Sequence, residues 1–157
     1  MKLRSVIANN RKAQFELTTR AGKVYPLPFA RVDPPPSADD PVREVYVDPE
    51  LAREGFTWVL ASGAEGSTHL DQALDYNQDP AYVAKMLTHR VTREAQQRMK
   101  SCGISRRALA ARLGTSTAQL YRLLDPTNYS KSLTQMLALL RALDCDVDIR
   151  VSERTDR

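Results

Sequence analysis

The residues whose types and spacing could do chemistry are concentrated in one short segment, residues 116–124. Leu120, Leu123 and Leu124 recur there at helical spacing and predict a helix with one buried face. The residues left on its outer face are Thr117, Ala118, Tyr121 and Arg122. An arginine guanidinium has N–H donors fixed in one plane, so it can donate two parallel hydrogen bonds to one partner. The spacing therefore indicates a surface for polar recognition rather than for making or breaking bonds.

Two short helices with a tight turn between them must position that face. Ala110 is small where the two helices have to approach each other. Gly114 follows the first helix, at a helix end that favours a residue able to take a positive φ. Ser116 and Gln119 have the Ser-x-x-Gln spacing of a capping box at the start of the second helix. Residues 106–125 thus predict a helix-turn-helix.

The segment resembles the Cro/repressor (Xre) type of helix-turn-helix. That family has an alanine early in the first helix, a glycine at the turn and aliphatic residues at fixed later positions. The residues in those places are Ala110, Gly114, Leu120 and Leu123. The resemblance covers roughly residues 92–143. It implies that double-stranded DNA is the partner and that helix 117–124 lies in the major groove.

The resemblance also implies which side chains read bases. They are Thr117, Ala118, Gln119, Tyr121 and Arg122. We expect four further residues to hold phosphates, with helix N-termini adding N–H groups: Arg106, Arg107, Ser116 and Lys131. Ala118 offers only apolar contact, so the amount of sequence that is read directly stays open. One such unit reads only a few base pairs, which predicts a homodimer that faces two half-sites.

The charge of the chain is concentrated in the same region. Residues 85–131 hold ten of the 23 Lys and Arg residues but only two of the 19 acids, a net charge of +8. The net charge of the whole chain is only +4, because the flanking regions are slightly acidic. A basic segment of this kind suits a phosphate backbone, whereas an ordinary solvated surface usually mixes in acids.

The first half of the chain predicts antiparallel strands. Apolar and polar residues alternate through residues 13–18 and again through 24–29, and two prolines in the second run predict a sheet edge. Alternation resumes after the proline-rich residues 33–41, so we expect five or six strands over residues 1–72. Trp58 and its neighbouring aromatic residues either pack in a core, which is the commoner use, or line a ligand pocket.

From Asp79 the apolar period becomes helical. Asp79 suits an N-cap and Pro80 the first helical position, so one long helix or two shorter ones are expected here. A later helix is predicted from the apolar stripe Leu133, Met136, Leu137, Leu140 and Leu143. Residues 145–151 then alternate strictly and predict a β-strand. Because a lone strand cannot satisfy its own backbone, it must join the N-terminal sheet or pair with a second subunit.

These patterns together predict an α+β fold in two domains. Residues 1–78 are expected to form an antiparallel β module for interaction or ligand sensing. Residues 79–157 are expected to form a helical bundle with the helix-turn-helix and a C-terminal β-strand. Cys102 and Cys145 each fall on an apolar periodicity, which predicts buried free thiols in a reducing compartment. We expect a cytoplasmic protein, because no apolar run approaches the ~20 residues of a membrane span.

No motif in the β module predicts catalysis, a metal or a cofactor. His69 lies near Ser67 and Asp71, but there is no second ligand at metal spacing, and a histidine on a strand is usually structural or exposed. Gly63 and Gly66 lack the following helix and lysine that a phosphate-binding loop requires. The sequence therefore favours a protein that is not an enzyme.

Three functions stay open at this point. The first is a repressor-like transcriptional regulator whose β module senses a ligand or dimerises. The second is an antitoxin that also regulates its own synthesis and whose β module grips a toxin; co-purification of a small basic partner would favour it. The third is a protein-interaction module in which the helical unit only mediates assembly. Absent or salt-insensitive DNA binding would favour the third function, because phosphate contacts weaken as salt rises.

Overall fold

The computed structural model describes residues 1–153, in which strands precede helices. The strands are β1 (Leu3–Asn9), β2 (Gln14–Thr19), β3 (Val24–Pro28), β4 (Val42–Val47), β5 (Gly55–Leu60) and β6 (Glu65–His69). The helices are α1 (Leu70–Tyr76), α2 (Pro80–Ser101), α3 (Arg106–Leu113), α4 (Thr117–Leu124) and α5 (Leu133–Ala142). The predicted α+β class is confirmed. The chain divides into a compact first unit, Met1–Val83, and a second unit that begins at Ala84. The predicted domain boundary after residue 78 stays a prediction.

The first sheet is an antiparallel meander in the order β1-β2-β3. Phe15 lies opposite Leu27 and Leu17 opposite Tyr25, and all four side chains are buried on one face. This is the period-2 pattern of a sheet that covers a core on one side. The two prolines of β3 lie on an edge strand, as predicted, because a proline nitrogen cannot donate to a neighbouring strand.

The second sheet is also antiparallel, in the order β4-β5-β6. The predicted strand number is confirmed, but the strands form two sheets rather than one. The strands were expected to extend over residues 1–72, but the last strand ends at His69 and Leu70 begins helix α1. Leu70, Ala73 and Leu74 have i, i+3, i+4 spacing and are buried in the same core as the strands. Helical spacing therefore decides the structure here, over a segment of only seven residues.

Aromatic side chains fill the interior of the first unit. The ring centroid of Phe15 lies 4.8 Å from that of Phe29, 4.9 Å from that of Phe56 and 5.4 Å from that of Trp58. All four side chains are buried. These distances are typical of favourable edge-to-face and tilted aromatic pairs. Of the two uses open to these aromatic residues, the structure shows core packing.

Asp79 caps the N-terminus of α2 and is hydrogen-bonded to strand β3. Its Oδ1 atom accepts hydrogen bonds from the backbone N–H groups of Ala81 and Tyr82, which confirms the predicted N-cap. Its Oδ2 atom accepts a 2.8 Å bond from the hydroxyl of Tyr25 and lies 3.5 Å from Nζ of Lys23. The Tyr25 bond, the Tyr82 backbone bond and the nearby lysine lower the pKa of the Asp79 carboxyl below its ordinary value.

The second unit packs α2, α3, α4 and α5 around a leucine-rich core. Helix α2 is one continuous helix of 22 residues. In α5 the predicted stripe is partly wrong, because Leu133 and Leu137 are exposed while Leu139 is buried. Leucines occur on more than one face of α5, so packing against its neighbours selects which face is buried. Cys102 and Cys145 are free thiols, but Cys102 is exposed rather than buried.

The predicted C-terminal strand does not form in the described part of the chain. Residues 145–153 have no regular secondary structure, and both sheets are built from strands within residues 3–69. The physical reason is that a strand needs a partner for its backbone groups. Val147, Ile149 and Val151 are exposed instead. Within residues 1–153, none of the helices combines the length and apolar content needed to cross a bilayer.

Candidate nucleic-acid interface

The outer face of α4 is presented to solvent. Leu120, Leu123 and Leu124 are buried, as their spacing predicted. Four side chains of the predicted base-reading set are exposed, and Gln119 is half-buried; the exposed four are Thr117, Ala118, Tyr121 and Arg122. The sequence therefore predicted correctly which side of α4 is open to a partner. Whether these side chains read bases stays a prediction.

The turn that precedes α4 sets the direction of this face. Gly114 closes α3 in the left-handed conformation, with φ of 65° and ψ of 33°. The backbone of a residue with a side chain would be strained in this conformation, which explains the glycine at this position. Ser116 then caps α4, and its Oγ atom accepts a 3.1 Å bond from the N–H of Gln119. Ala110 is buried, as its small size predicted.

Four cations from three helices line one cleft beside α4. Arg122 of α4 and Arg106 of α3 were predicted as site residues, whereas Arg93 and Lys100 of α2 were not. Arg93 and Lys100 are seven residues apart, which places them on the same face of α2. This spacing is the signal that sequence analysis could have used. Asp125 is the one acid among the residues that line this cleft.

Arg106 and Tyr121 contact each other across the two helices of the motif. The guanidinium carbon of Arg106 lies 5.1 Å from the centroid of the Tyr121 ring, within the range of a cation–π interaction. Tyr121 remains 56% exposed, so its hydroxyl end is still accessible. The pair fixes an arginine at the start of α3 next to the outer face of α4. Arg107, also predicted as a phosphate contact, is exposed in the same helix turn.

Lys131 occupies a different setting from the other predicted phosphate contacts. Its Nζ atom donates a 2.7 Å bond to Oγ1 of Thr92 and a 2.6 Å bond to the carbonyl oxygen of Asp125. Burial lowers the pKa of the Lys131 ammonium, and Asp125 opposes that shift. These contacts join α2 to the loop after α4. These contacts use two of the three N–H donors of the Lys131 ammonium.

Asn128 supports the end of the predicted reading helix. Its side-chain amide donates a 3.1 Å bond to the carbonyl oxygen of Arg122. Asp125 organises the same loop, because its Oδ1 atom accepts bonds from the hydroxyl and the N–H of Thr127. Those bonds lower the pKa of the Asp125 carboxyl. The loop is therefore tied to α4 by local hydrogen bonds as well as by Lys131.

The residues of the β module that were considered as a catalytic or metal-binding site lie at the junction of β6 and α1. Ser67 and His69 are on strand β6 and Asp71 is in the first turn of α1, and all three are exposed. Across the described residues, 1–153, no group of three or more His, Cys, Asp or Glu side chains has the geometry to hold a metal ion.

The geometry of α3, the turn and α4 is that of a helix-turn-helix, a motif of DNA-binding proteins. Residues 96–148 match the family model of the Cro/C1-type HTH DNA-binding domain, which is about a third of the chain. This match confirms the Cro/repressor resemblance, and it identifies the second unit as carrying a DNA-binding domain of the kind found in transcription regulators. A search of curated proteins found no match, and a search of solved structures found none either.

Proposed function

We propose that this protein is a repressor-like transcriptional regulator that reads DNA with α4. The observation that carries the proposal is the cationic cleft beside the exposed face of α4, lined by side chains from α2, α3 and α4. A recognition helix supplies sequence information, while neighbouring cations neutralise phosphates and fix its register. Both parts are therefore available on one surface.

The contacts divide into two groups in this proposal. Arg122 is the principal base-reading residue, with Thr117, Ala118, Gln119 and Tyr121 around it. Arg106, Arg107 and Ser116 hold phosphates, and the cleft adds two cations from α2, Arg93 and Lys100. Lys131 holds the loop in place rather than binding a phosphate in this proposal, because two of its three N–H donors already bond to Thr92 and Asp125.

The functional unit in this proposal is a homodimer. One recognition helix contacts only a few base pairs, so useful specificity requires two helices about one DNA turn apart. Each mismatched base pair costs about 1–3 kcal/mol, which a single half-site cannot turn into adequate discrimination. The regulator therefore binds a site with approximate two-fold symmetry.

Selection of duplex DNA from a random pool by the full-length protein tests the proposal. The expected result is an enriched site with two related half-sites, whose spacing gives the dimer geometry. Arg122→Ala should bind that site less well and lose preference at one position of each half-site. Arg141→Ala on α5 is the matched control, since it removes the same charge from an exposed position that does not line the cleft.

Three outcomes would count against the proposed function. Enrichment of no sequence, together with binding that does not weaken as salt rises, would leave the helical unit as an assembly module. Equal loss in Arg122→Ala and Arg141→Ala would show that net charge alone is being measured. Co-purification of a partner protein that abolishes DNA binding would favour the antitoxin function instead.

A further inference from the structure

The C-terminal segment 145–151 has the pattern of a strand but no partner within the described chain. Apolar and charged residues alternate through it, and it follows directly from the loop after α5. The exposed fraction of its apolar side chains rises along the segment, from 47% at Val147 to 66% at Ile149 and 93% at Val151. Residues of this size alternating at period 2 normally cover an apolar surface in a sheet.

The beginning of the segment lies beside helix α2. Residues 145–148 and side chains of α2 line one cleft of about 510 Å³. Val91 and Leu140 contribute apolar side chains to it. A two-stranded ribbon in water is only marginally stable on its own, so a cleft with apolar residues next to the segment supplies the surface that a ribbon needs.

We propose that this segment pairs antiparallel with the same segment of a second copy, around a two-fold axis at Ile149. This dimer surface rests on the proposed function, which requires a homodimer. Pairing of like with like is the isologous arrangement that a two-fold axis produces. It would satisfy the backbone groups of the segment and place Val147 opposite Val151 of the second copy.

Charge selects this register over its neighbours. Centring on Ile149 places Asp148 opposite Arg150 of the second copy, twice in each dimer. Centring on Val147 would place Asp146 opposite Asp148. Centring on Asp148 would keep two attractive pairs, Asp146 with Arg150, but would place Asp148 opposite itself, and centring on Arg150 would place Arg150 opposite itself. Opposite charges stabilise directly facing cross-strand positions, and like charges destabilise them. A two-fold axis midway between two neighbouring residues would place apolar residues opposite charged ones.

The same two charges contribute little within one chain. Nε of Arg150 lies 4.0 Å from Oδ2 of Asp148, but the two side chains are 94% and 86% exposed. A pair this exposed carries almost no stabilisation. Asp148 and Arg150 nevertheless lie on the same side of the segment, so on an antiparallel second copy they face the same two residues in reverse order.

A charge-exchange experiment on the full-length protein tests the register, by sedimentation equilibrium in the absence of DNA. Asp148→Arg and Arg150→Asp should each raise the dimer dissociation constant roughly 10- to 100-fold, because two attractive pairs become two repulsive ones. An equimolar mixture of the two variants should recover a heterodimer of near-parental affinity. The doubly exchanged chain should form homodimers again.

Asp146→Arg is the matched control for this experiment. It changes the net charge by the same amount as Asp148→Arg, but in the proposed register it lies opposite Ser152. It should therefore leave the dissociation constant within about threefold of the parent. Disruption by Asp146→Arg equal to that by Asp148→Arg would overturn the register.

Cross-linking gives a second measurement that does not depend on charge. In a chain with Cys102→Ser and Cys145→Ser, Ile149→Cys should form a covalent dimer on mild oxidation, because the two copies meet at that position. Val147→Cys should not, because it faces a valine of the second copy.

The proposal is overturned if the parent is monomeric at all accessible concentrations. It is also overturned if a dimer forms that neither Asp148→Arg nor Ile149→Asp weakens, since another surface then holds the copies together. The proposed function fails separately, when an intact dimer binds no DNA. A partner protein that binds the segment of monomeric chains would equally exclude the second copy as its occupant.

Discussion

Replacing Arg93 or Lys100 with glutamine is expected to weaken DNA binding and to make the affinity less dependent on salt. These residues line the cleft that also contains Arg106 and Arg122, and all four side chains are exposed. Each cation that neutralises a phosphate changes the slope of log K against log salt by about 0.9. In a dimer each substitution occurs twice, so the slope should become less negative by about 1.8.

The loss of affinity follows from the same slope. Between about 1 M and 0.1 M salt, one lost phosphate contact changes log K by about 0.9, a factor of about 8. Two copies of a substitution therefore weaken binding about 60-fold at 0.1 M salt and hardly at all at 1 M. Glutamine has a helix propensity close to that of arginine and lysine, so the fold of α2 should be unaffected.

Fluorescence anisotropy of a labelled duplex, titrated at several salt concentrations, measures both quantities. Arg141→Gln on α5 is the control for the loss of one charge from an exposed helix position of the same unit. The reasoning is refuted if Arg93→Gln and Lys100→Gln leave the salt slope at the parental value. It is also refuted if Arg141→Gln changes the slope as much as they do, because the cleft then has no special role.

Four further outcomes are expected. Arg122→Ala should cost about 1–3 kcal/mol at the selected site and relax preference at one base pair, whereas Arg107→Ala should weaken all sequences alike; competition with random duplex separates the two, and equal effects would contradict the assignment. Leu120→Ala should lower the free energy of unfolding of the second unit by about 2–5 kcal/mol, because the side chain is fully buried; chemical denaturation measures this, and a loss below about 1 kcal/mol would show that the core is misassigned. Lys131→Met should lower the free energy of unfolding by about 1–2 kcal/mol yet leave the salt slope of DNA binding unchanged. A reduced slope would show instead that Lys131 contacts a phosphate. The lowered pKa of Asp79 means that its ionised form stabilises the fold at neutral pH and that this contribution is lost as the pH falls below about 4. Asp79→Asn, which can still cap α2, should therefore have a lower melting temperature than the parent at neutral pH and a smaller decrease in melting temperature on acidification. Circular dichroism measures both, and parallel pH profiles of parent and variant would refute this.

The helix ends show how far local sequence reaches. Ser132 and Gln135 form a complete capping box, and Gly114 has the positive φ that its position predicted. Such features depend on residues within one turn, so the sequence indicates where the helices begin and end. The same spacing at Ser116 and Gln119 gives only the bond from the Gln119 N–H to Ser116 Oγ among the described residues, so it does not decide whether the box is complete. The outer face of α4 was predictable for the same reason, because a helix that buries one stripe necessarily exposes the other.

The cationic cleft shows where local sequence stops. Arg93 and Lys100 are basic residues on one face of a long helix, but their spacing does not tell which elements pack beside that face. They line the cleft with Arg106 and Arg122 because the packing of α2 brings them beside α3 and α4. Lys131 is the opposite case, since the fold turns an apparent surface cation into a link between Thr92 and Asp125.

By itself, then, the sequence determined the α+β class, the helix-turn-helix and the side of α4 that faces outward. Each of these follows from short-range periodicity and capping, which neighbouring residues control. Tertiary packing alone decided that the six strands form two sheets, that Leu139 rather than Leu137 is buried, and which basic residues share a cleft. Residues 145–151 have the alternation of a strand without its structure, because backbone pairing requires a partner that no local pattern can supply.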